Sequence, residues 1–385
     1  MNTTTSPPSK ARIISIDALR GFVIIIMLVD HLRDMFFLNV RLADPVDVTT
    51  TEPTVYILRL LSSLCAPVFV LLTGLSAYLY GQNKTKEQLA QFLLSRGIIL
   101  VLLELTVISV AWGGSIPPIK LYLQVIWVIG LSMILMSALI YLPRWTQWLF
   151  ATSLIIGHNF LDQIVLSPDD ALHTMWAILH QRDWIFITEE LKARTSYPLI
   201  PWPGIMLLGY LLGKWFNEQL ASQQRIANSI KLSVGLLAVF FVLRLLNIYG
   251  DTPWFEGTDT SQTIMSFFAL TKYPPSLLFT LFTLAIGGLA LALFEYFQHQ
   301  SFVHRLLHFG SAPMFFYIAH LYFIGITYLI CISIWGRNHG KYFVLDSLWH
   351  MWGIFLMLII PLYFSTRWFG RLKQRRRDIN WLKYF

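Results

Sequence analysis

Residues 14–34 read ISIDALRGFVIIIMLVDHLRD, an apolar run with acidic and basic residues near both of its ends. About 20 mostly apolar residues are enough for a helix to cross a bilayer. Comparable apolar runs recur along the chain as far as Phe364. The sequence therefore predicts an all-α, polytopic integral membrane protein, a bundle of about ten transmembrane helices.

The composition of the 385 residues excludes a large soluble helical protein. Hydrophobic residues make up 56% of the chain and charged residues only 13%, whereas soluble proteins carry about 25% charge. The net charge of +8 does not indicate nucleic acid, because seven of the 29 Lys and Arg lie in the tail 367–383. A basic run beside a membrane helix fixes orientation and contacts anionic lipid.

Ten spans can be placed on the apolar runs. They are predicted at 18–37, 55–80, 92–112, 121–142, 146–166, 199–216, 229–249, 276–297, 310–335 and 346–367. Residues 1–11 are expected to be a disordered cytoplasmic leader, 12–367 a transmembrane domain and 368–385 a basic cytoplasmic tail. The stretch 167–198 is predicted to be partly helical, over 172–191, and to lie along the membrane interface.

The distribution of Lys and Arg predicts the orientation. With both termini in the cytoplasm, the cytoplasmic segments hold 17 of these residues and the outer loops hold eight. This bias agrees with the positive-inside rule.

Polar residues on the first span predict a functional stripe. Arg20 and His31 are eleven residues apart, so on a helix they share a face to within about 20° and stand about 16 Å apart. Asp17 lies on the same side of the helix. Charged residues inside a membrane are retained when they are paired or functional, because each costs about 2.5–3.5 kcal/mol.

Two interpretations of this stripe stay open. Asp17 and Arg20 can form a structural i,i+3 pair at the membrane boundary, with His31 hydrogen-bonded at the far end. Alternatively, Arg20 meets an anionic group that enters from the cytoplasm, and His31 acts deeper in the membrane as a base or nucleophile. An imidazole suits that role because it titrates near neutral pH.

Further polar residues occur in the later spans, and each of them can instead have a purely structural role. His320 lies about ten residues into the ninth span, where a buried histidine can be purely structural. Cys65 and Cys331 lie in apolar runs, which argues against a disulfide, and no metal-ligand spacing is present. Lesser candidates are Glu104, Arg244 and the group His158, Asn159 and Asp162, with Glu104 and Arg244 as conceivable partners of each other.

Several motifs together resemble a bacterial membrane family related to the catalytic domain of heparan-α-glucosaminide N-acetyltransferase. The matching pieces cover most of the chain and are Arg12-Ile-Ile-Ser-Ile-Asp-Ala-Leu-Arg-Gly-Phe, Asp30-His-Leu-Arg-Asp, Asp44-Pro-Val-Asp, Leu64-Cys-Ala-Pro-Val-Phe, Tyr197-Pro-Leu-Ile-Pro-Trp, Gly209-Tyr, Lys272-Tyr-Pro-Pro-Ser-Leu-Leu-Phe and Phe315-Phe-Tyr-Ile-Ala-His. The Asp-Ala-Leu-Arg-Gly opening with His31 beyond it also resembles the wider transmembrane acyltransferases that modify cell-surface sugars. Residues 38–54 contain no histidine, so His31 follows this wider pattern.

The resemblance implies an acyltransferase of the bacterial cytoplasmic membrane. Its donor would be acetyl-CoA or another acyl-CoA on the cytoplasmic side, its acceptor a sugar or glycan on the outer side, and no metal is expected. The residues assigned to catalysis are His31, Asp30 and His320. Those assigned to the donor are Arg20, Asp17, Lys272 and Tyr273. The expected partners are membrane lipids, acyl-CoA and the acceptor, without nucleic acid, and a homodimer stays open.

Two other functions remain as alternatives. Scattered intramembrane charge without a full catalytic set also suits a transporter or flippase for a lipid-linked or anionic solute. A non-catalytic membrane protein that keeps the fold would need no acyl-CoA at all.

Overall fold

The computed structural model describes residues 13–38, 47–217, 219–376, 378–379 and 381–382, so the leader 1–11, Arg12 and Asp44 lie outside the described residues. The described chain is mainly helical. Its α-helices are α1 Ile14–Arg33, α2 Pro53–Ser62, α3 Cys65–Gly81, α4 Lys86–Leu103, α5 Ser109–Gly113, α6 Val125–Leu139, α7 Arg144–Gly157, α8 His173–Leu179, α9 Trp202–Leu212, α10 Ser222–Leu246, α11 Thr260–Phe267, α12 Leu277–Tyr296, α13 Ser301–Gly310, α14 Pro313–Trp335 and α15 Leu348–Arg375. Short π-helical turns continue α1 over Asp34–Leu38 and join α4 to α5 over Glu104–Ile108.

The predicted class, an all-α polytopic membrane protein, is confirmed. Among the described residues, six helical stretches are long and apolar enough to cross a membrane: Pro53–Gly81, Lys86–Gly113, Ser222–Leu246, Leu277–Tyr296, Pro313–Trp335 and Leu348–Arg375. The other four predicted spans coincide with α1, which carries several charges, and with α6, α7 and α9, which are 11 to 15 residues long. The number ten therefore stays a prediction.

A three-stranded sheet packs against the helices α5 and α8. Strands β1 Lys120–Tyr122, β2 Trp184–Phe186 and β3 Lys192–Arg194 are arranged in the order β1-β3-β2, with β1 parallel and β2 antiparallel to β3. The helix predicted over 172–191 is limited to α8, because β2 takes up part of the same stretch. Leu123, Ala177, Ile185 and Ala193 form the small core beneath this sheet.

Glycines let the central helices approach closely. A Cβ added at Gly21 of α1 would lie 2.1 Å from the Leu306 carbonyl oxygen of α13, and one at Gly310 would lie 1.9 Å from the Asp17 carbonyl oxygen. The same holds for α3 and α9, where a Cβ at Gly209 would lie 2.1 Å from the Leu71 carbonyl oxygen. Small residues at such crossings are typical of membrane helix packing.

A buried acid ties three helices together near the start of α1. Glu295 of α12 accepts hydrogen bonds from the hydroxyl groups of Ser15 and Ser222 at 2.5 and 2.9 Å. Arg225 of α10 donates to the same carboxylate from Nε at 2.9 Å and from Nη2 at 2.5 Å. Because every oxygen of this buried acid is engaged, the network holds the first helix against the core at its amino-terminal end.

Candidate active site

The first helix carries the same short motif at both of its ends. Arg20 Nη1 lies 2.8 Å from Asp17 Oδ1, and Arg33 donates to Asp30. Each pair is an acid followed three residues later by an arginine, a spacing that brings both side chains to one face of a helix. The two pairs lie 13 residues apart, at opposite ends of α1 and about 140° apart around its axis.

At the Asp17 end, Arg20 reaches across to α3. It donates to the carbonyl oxygen of Leu72 at 3.2 Å and to the hydroxyl of Ser76. The Ser76 hydroxyl in turn donates to the Leu72 carbonyl oxygen at 2.6 Å. The guanidinium thus has a fixed orientation, and it stays partly accessible, with 18% of its side chain exposed.

At the other end, His31 forms a dyad with His320 of α14. His31 Nδ1 lies 2.7 Å from His320 Nε2, and His320 Nδ1 lies 2.9 Å from the Phe316 carbonyl oxygen. A carbonyl oxygen can only accept, so His320 Nδ1 carries a proton and its neutral ring offers Nε2 as an acceptor. His31 Nδ1 then donates to His320, which leaves Nε2 of His31 as a basic nitrogen.

The dyad is packed into a fixed position. The His31 ring meets Trp112 edge-on at 5.1 Å and stacks on His320 at 5.0 Å between ring centroids. His320 is completely buried behind His31 and also contacts the ring of Tyr317. This packing fixes the plane of the imidazole and hence the direction of its basic nitrogen.

Asp30 holds cations near the dyad. In addition to Arg33, its carboxylate lies 3.6 Å from Lys272 Nζ. Arg33 also donates to Asp34 at 3.1 Å. Asp30 thus places Lys272 beside the site.

Lys272 and Tyr273 belong to a cluster of cations and phenols at this end. The Tyr273 ring lies 4.5 Å from the guanidinium of Arg182 and 5.3 Å from Lys272 Nζ, and its hydroxyl is 3.4 Å from that of Tyr197. Burial by itself would raise the pKa of the Tyr273 phenol, but Lys272, Arg59 and Arg182 outweigh burial and lower this pKa. The cluster therefore favours a bound anion or the oxygen-rich surface of a polar ligand.

One cavity connects the two ends. Its volume is about 320 Å³, within the range of small-molecule sites. Arg20, Ser76, Arg96 and Lys373 line one end, and Asp30, His31, Gln124, Tyr197 and Lys272 line the other. Between them the wall is largely apolar, with Met27, Phe69, Leu93, Ile129 and Met133 among its residues. The cavity thus follows the stripe that the sequence predicted on α1.

The predicted site residues lie either on the cavity wall or directly behind it. Arg20, Asp30, His31 and Lys272 line the cavity. Asp17, Tyr273 and His320 lie behind this wall, where each contacts a lining residue. Lys272 and Tyr273, which were expected to bind the donor, are at the His31 end rather than the Arg20 end.

Several cationic side chains near the two ends of the cavity were not among the predicted site residues. Arg96 and Lys373 join Arg20 at one end, and Arg59 and Arg182 join Lys272 at the other. Arg59 interrupts an apolar run, and this charge within a predicted span is the sequence signal that could have identified it. The positions of Arg182 and Lys373 depend on how the chain folds back.

The suggested pairing of Glu104 with Arg244 is wrong. Glu104 accepts from the backbone N–H of Trp127 at 2.9 Å. Arg244 donates to backbone carbonyl groups, including those of Phe267 and Thr252 at 2.8 Å each. Arg244 therefore has the structural role of closing the loop that precedes α12.

The Ser62, Ser63 and Cys65 segment has a packing role. Both serine hydroxyls donate to the Arg59 carbonyl oxygen at 2.9 Å, and the Cys65 thiol donates to the Val23 carbonyl oxygen at 3.3 Å. These bonds close the turn between α2 and α3 and fix α3 against α1.

Comparison with known protein families supplies the class of this site. Residues 12–249, well over half of the chain, match the family described as heparan-alpha-glucosaminide N-acetyltransferase, catalytic. The chain belongs to this family. No curated protein sequence matches it. The residues that match this family include Arg20 and His31, whereas Lys272, Tyr273 and His320 lie beyond the matched segment. The protein is thus a multi-pass membrane member of a transmembrane acetyltransferase family.

Proposed function

We propose that this protein moves an acetyl or other acyl group from cytoplasmic acyl-CoA to a sugar or glycan acceptor on the outer side of the membrane. The single observation that carries the proposal is the cavity with Arg20 at one end and His31 at the other. Arg20 and His31 face the same cavity across a distance of about 16 Å along α1.

The Arg20 end suits the donor. Arg20, Arg96 and Lys373 bring three cationic side chains to the cavity mouth, and arginine forms strong, charge-assisted hydrogen bonds with phosphate. The pantetheine arm of an acyl-CoA is narrow and extended, so it fits the apolar middle section. This arrangement directs the thioester toward His31.

The His31 end suits the acceptor. Lys272, Arg182 and Arg59 surround Tyr273, and Tyr197 and Gln124 add polar groups to the cavity wall. Hydroxyl groups, amides and aromatic rings of this kind bind sugars through hydrogen bonds and stacking. We assign Lys272 and Tyr273 to the acceptor for this reason.

The reaction needs a base and little else, since a thioester is already activated. Nε2 of His31 takes the proton from the acceptor hydroxyl or amine while the acceptor oxygen or nitrogen bonds to the thioester carbonyl carbon. The carbon–sulfur bond then breaks, and the CoA thiolate leaves with the proton from the His31 imidazolium. His320 accepts from His31 Nδ1 throughout and keeps the ring in its reactive orientation.

The proposal places the site in the bacterial cytoplasmic membrane, with both termini in the cytoplasm. The alternating directions of the helices support this arrangement, since the ends of α3, α12 and α15 that meet Arg20 or Ser15 were all predicted to be cytoplasmic. The Lys and Arg bias toward the same side agrees with it.

The test uses the full chain in proteoliposomes with acetyl-CoA labelled in the acetyl group on one side and a panel of amino sugars and glycans on the other. Transfer of label to an acceptor is expected for the wild type and not for His31→Ala. Solute movement in vesicles that lack any acyl donor, without acyl transfer under any condition, would overturn the proposal in favour of a transporter or flippase.

A further inference from the structure

A second group of titratable side chains lies away from the cavity. His158 and Asp162 lie at the end of α7, at the short 3₁₀ turn His158–Leu161, and His180 follows α8. One ligand atom from each of these three residues can be chosen so that all lie within 4.8 Å of one another. Two imidazoles and a carboxylate within this distance form a donor set of the type that holds a transition-metal ion.

Three ring nitrogens of the two buried histidines in this group have no hydrogen bond of normal geometry among the described residues. His158 is 2% exposed, and neither of its ring nitrogens makes a hydrogen bond of normal geometry within the described part of the chain, although the backbone of Pro275 lies nearby. His180 is 3% exposed, and its Nε2, which is also without a hydrogen bond, lies 3.5 Å from Asp162 Oδ1. Unpaired polar atoms in a buried site are costly, and a metal ion would lower this cost by taking the lone pair of one nitrogen in each ring.

The surroundings orient the carboxylate and one ring. Asn159 donates to Asp162 Oδ2 at 2.7 Å, which leaves Oδ1 directed at His180. Asn159 is itself held because its Oδ1 accepts from the backbone N–H of Leu277 at 2.9 Å. Trp176 stacks on His180 with 5.2 Å between ring centroids. Such outer partners are typical of metal sites, where they fix the ligand orientation.

We infer that His158, Asp162 and His180 bind a divalent transition-metal ion, with Zn²⁺ as the best fit. Two neutral imidazole nitrogens and one carboxylate oxygen supply three ligands of a tetrahedral site, and water completes it. Closing the present separation to the coordination distance requires a small inward movement of the side chains. This inference goes beyond the proposed acyl transfer and departs from the sequence-based expectation of no metal.

The ion has a structural role in this inference. His180 lies two residues before Arg182, whose guanidinium covers the Tyr273 ring of the acceptor end. Asn159 connects the same group to the first residue of α12. A metal ion would therefore fasten the loop that carries Arg182 to the start of α12, and it would stabilise the acceptor end without taking part in chemistry.

The experiment measures metal binding directly, on the full-length protein in detergent with its affinity tag removed. After treatment with a chelator, the protein is titrated with Zn²⁺ and, separately, with Co²⁺, and bound metal is counted by elemental analysis after gel filtration. We expect one Zn²⁺ per wild-type chain and visible absorption bands of tetrahedral Co²⁺. We expect His158→Ala and His180→Ala to weaken Zn²⁺ binding by about 100-fold or more, since each removes a ligand.

His173→Ala is the matched control. His173 is the first residue of α8 and is 4% exposed, but its Nε2 lies 3.2 Å from Asp183 Oδ2. This variant should bind Zn²⁺ as the wild type does. The inference is overturned if the wild type binds no Zn²⁺ and shows no Co²⁺ bands, or if binding is equal in the wild type and His158→Ala, which identifies an adventitious metal. If His158→Ala fails to fold, the same comparison is made with His180→Ala, and equal binding there overturns the inference in the same way.

Discussion

The two ends of the first helix carry the same acid–arginine pair, yet they lie in different surroundings. The Asp17–Arg20 pair keeps 18% of its arginine side chain exposed, whereas at the Asp30–Arg33 pair the arginine is 2% exposed and the nearby Lys272 is 4% exposed. The first end can therefore receive a charged group from water. The second end is desolvated, and there charges and hydrogen bonds act more strongly.

This difference shows how one local motif serves two purposes. Arg20 has a hydroxyl and a carbonyl as its further partners on α3, which hold it without neutralising it. Asp30 has a second cation, Lys272, and lies one residue before the His31–His320 dyad. In the proposed mechanism one end binds the donor and the other transfers the proton, and each prediction below tests one part of this proposal.

Removal of the base should have the largest effect. His31→Ala is expected to lower kcat for acyl transfer by about 10²–10⁴-fold, because Nε2 of His31 takes the proton of the acceptor. Acyl transfer in proteoliposomes measures this, at an expression level and gel-filtration profile matched to the wild type. His350→Ala, at an exposed histidine, serves as control. Unchanged transfer in His31→Ala would remove His31 from the mechanism.

Removal of the second histidine of the dyad should lower kcat less than removal of the first. His320→Ala is expected to lower kcat by about 10–100-fold with little change in KM, because His320 positions His31 and does not touch substrate. His320→Gln should recover part of the loss, since its side-chain amide oxygen can accept from His31 Nδ1. If His320→Gln and His320→Ala are equally impaired and both change KM strongly, His320 has some other role.

A crossed pair of substitutions separates the two ends. Arg20→Gln is expected to raise KM for acyl-CoA by about 10-fold or more and to leave KM for the acceptor unchanged, since a charge-assisted hydrogen bond contributes about 1.5–3 kcal/mol. Lys272→Gln should do the reverse. Initial rates at varied concentrations of each substrate measure both constants. If both variants raise KM for the same substrate, the two ends do not have separate functions.

The smallest expected effect concerns the support of Arg20. Ser76→Ala removes the hydroxyl that Arg20 contacts on α3, and a single hydrogen bond contributes about 0.5–1.5 kcal/mol. KM for acyl-CoA should rise by about 2–10-fold, in the same direction as for Arg20→Gln but by less. Thr73→Val, at another hydroxyl of the cavity wall, is the matched control and should change this KM less than Ser76→Ala does.

Some parts of the site were accessible from the sequence because they depend on one helix. The spacing of Asp17, Arg20 and His31 is fixed by helical geometry, and the cavity follows that stripe. His320 was identified only as a buried histidine with two possible roles. Its partner is 289 residues away in the chain, a separation at which no local pattern applies.

Other parts could not be predicted for physical reasons. The three-stranded sheet has strands of three residues each, too short for an alternating pattern to stand out. The motif of Lys272 and Tyr273 shows a cation and a phenol, but it does not show which end of the cavity these residues face. Arg182 lies in a loop, and its contact with Tyr273 depends on how that loop returns to the bundle.

The sequence by itself determined the membrane class, the acyltransferase family and the polar face of the first helix. These follow from apolar run lengths, local motifs and helical periodicity, all of which act over a few turns of chain. Only the tertiary structure decided that His31 meets His320, that Lys272 faces the same end as His31, and that His158, Asp162 and His180 lie together. Each of these depends on packing between separate segments of the chain, which no short stretch of sequence encodes.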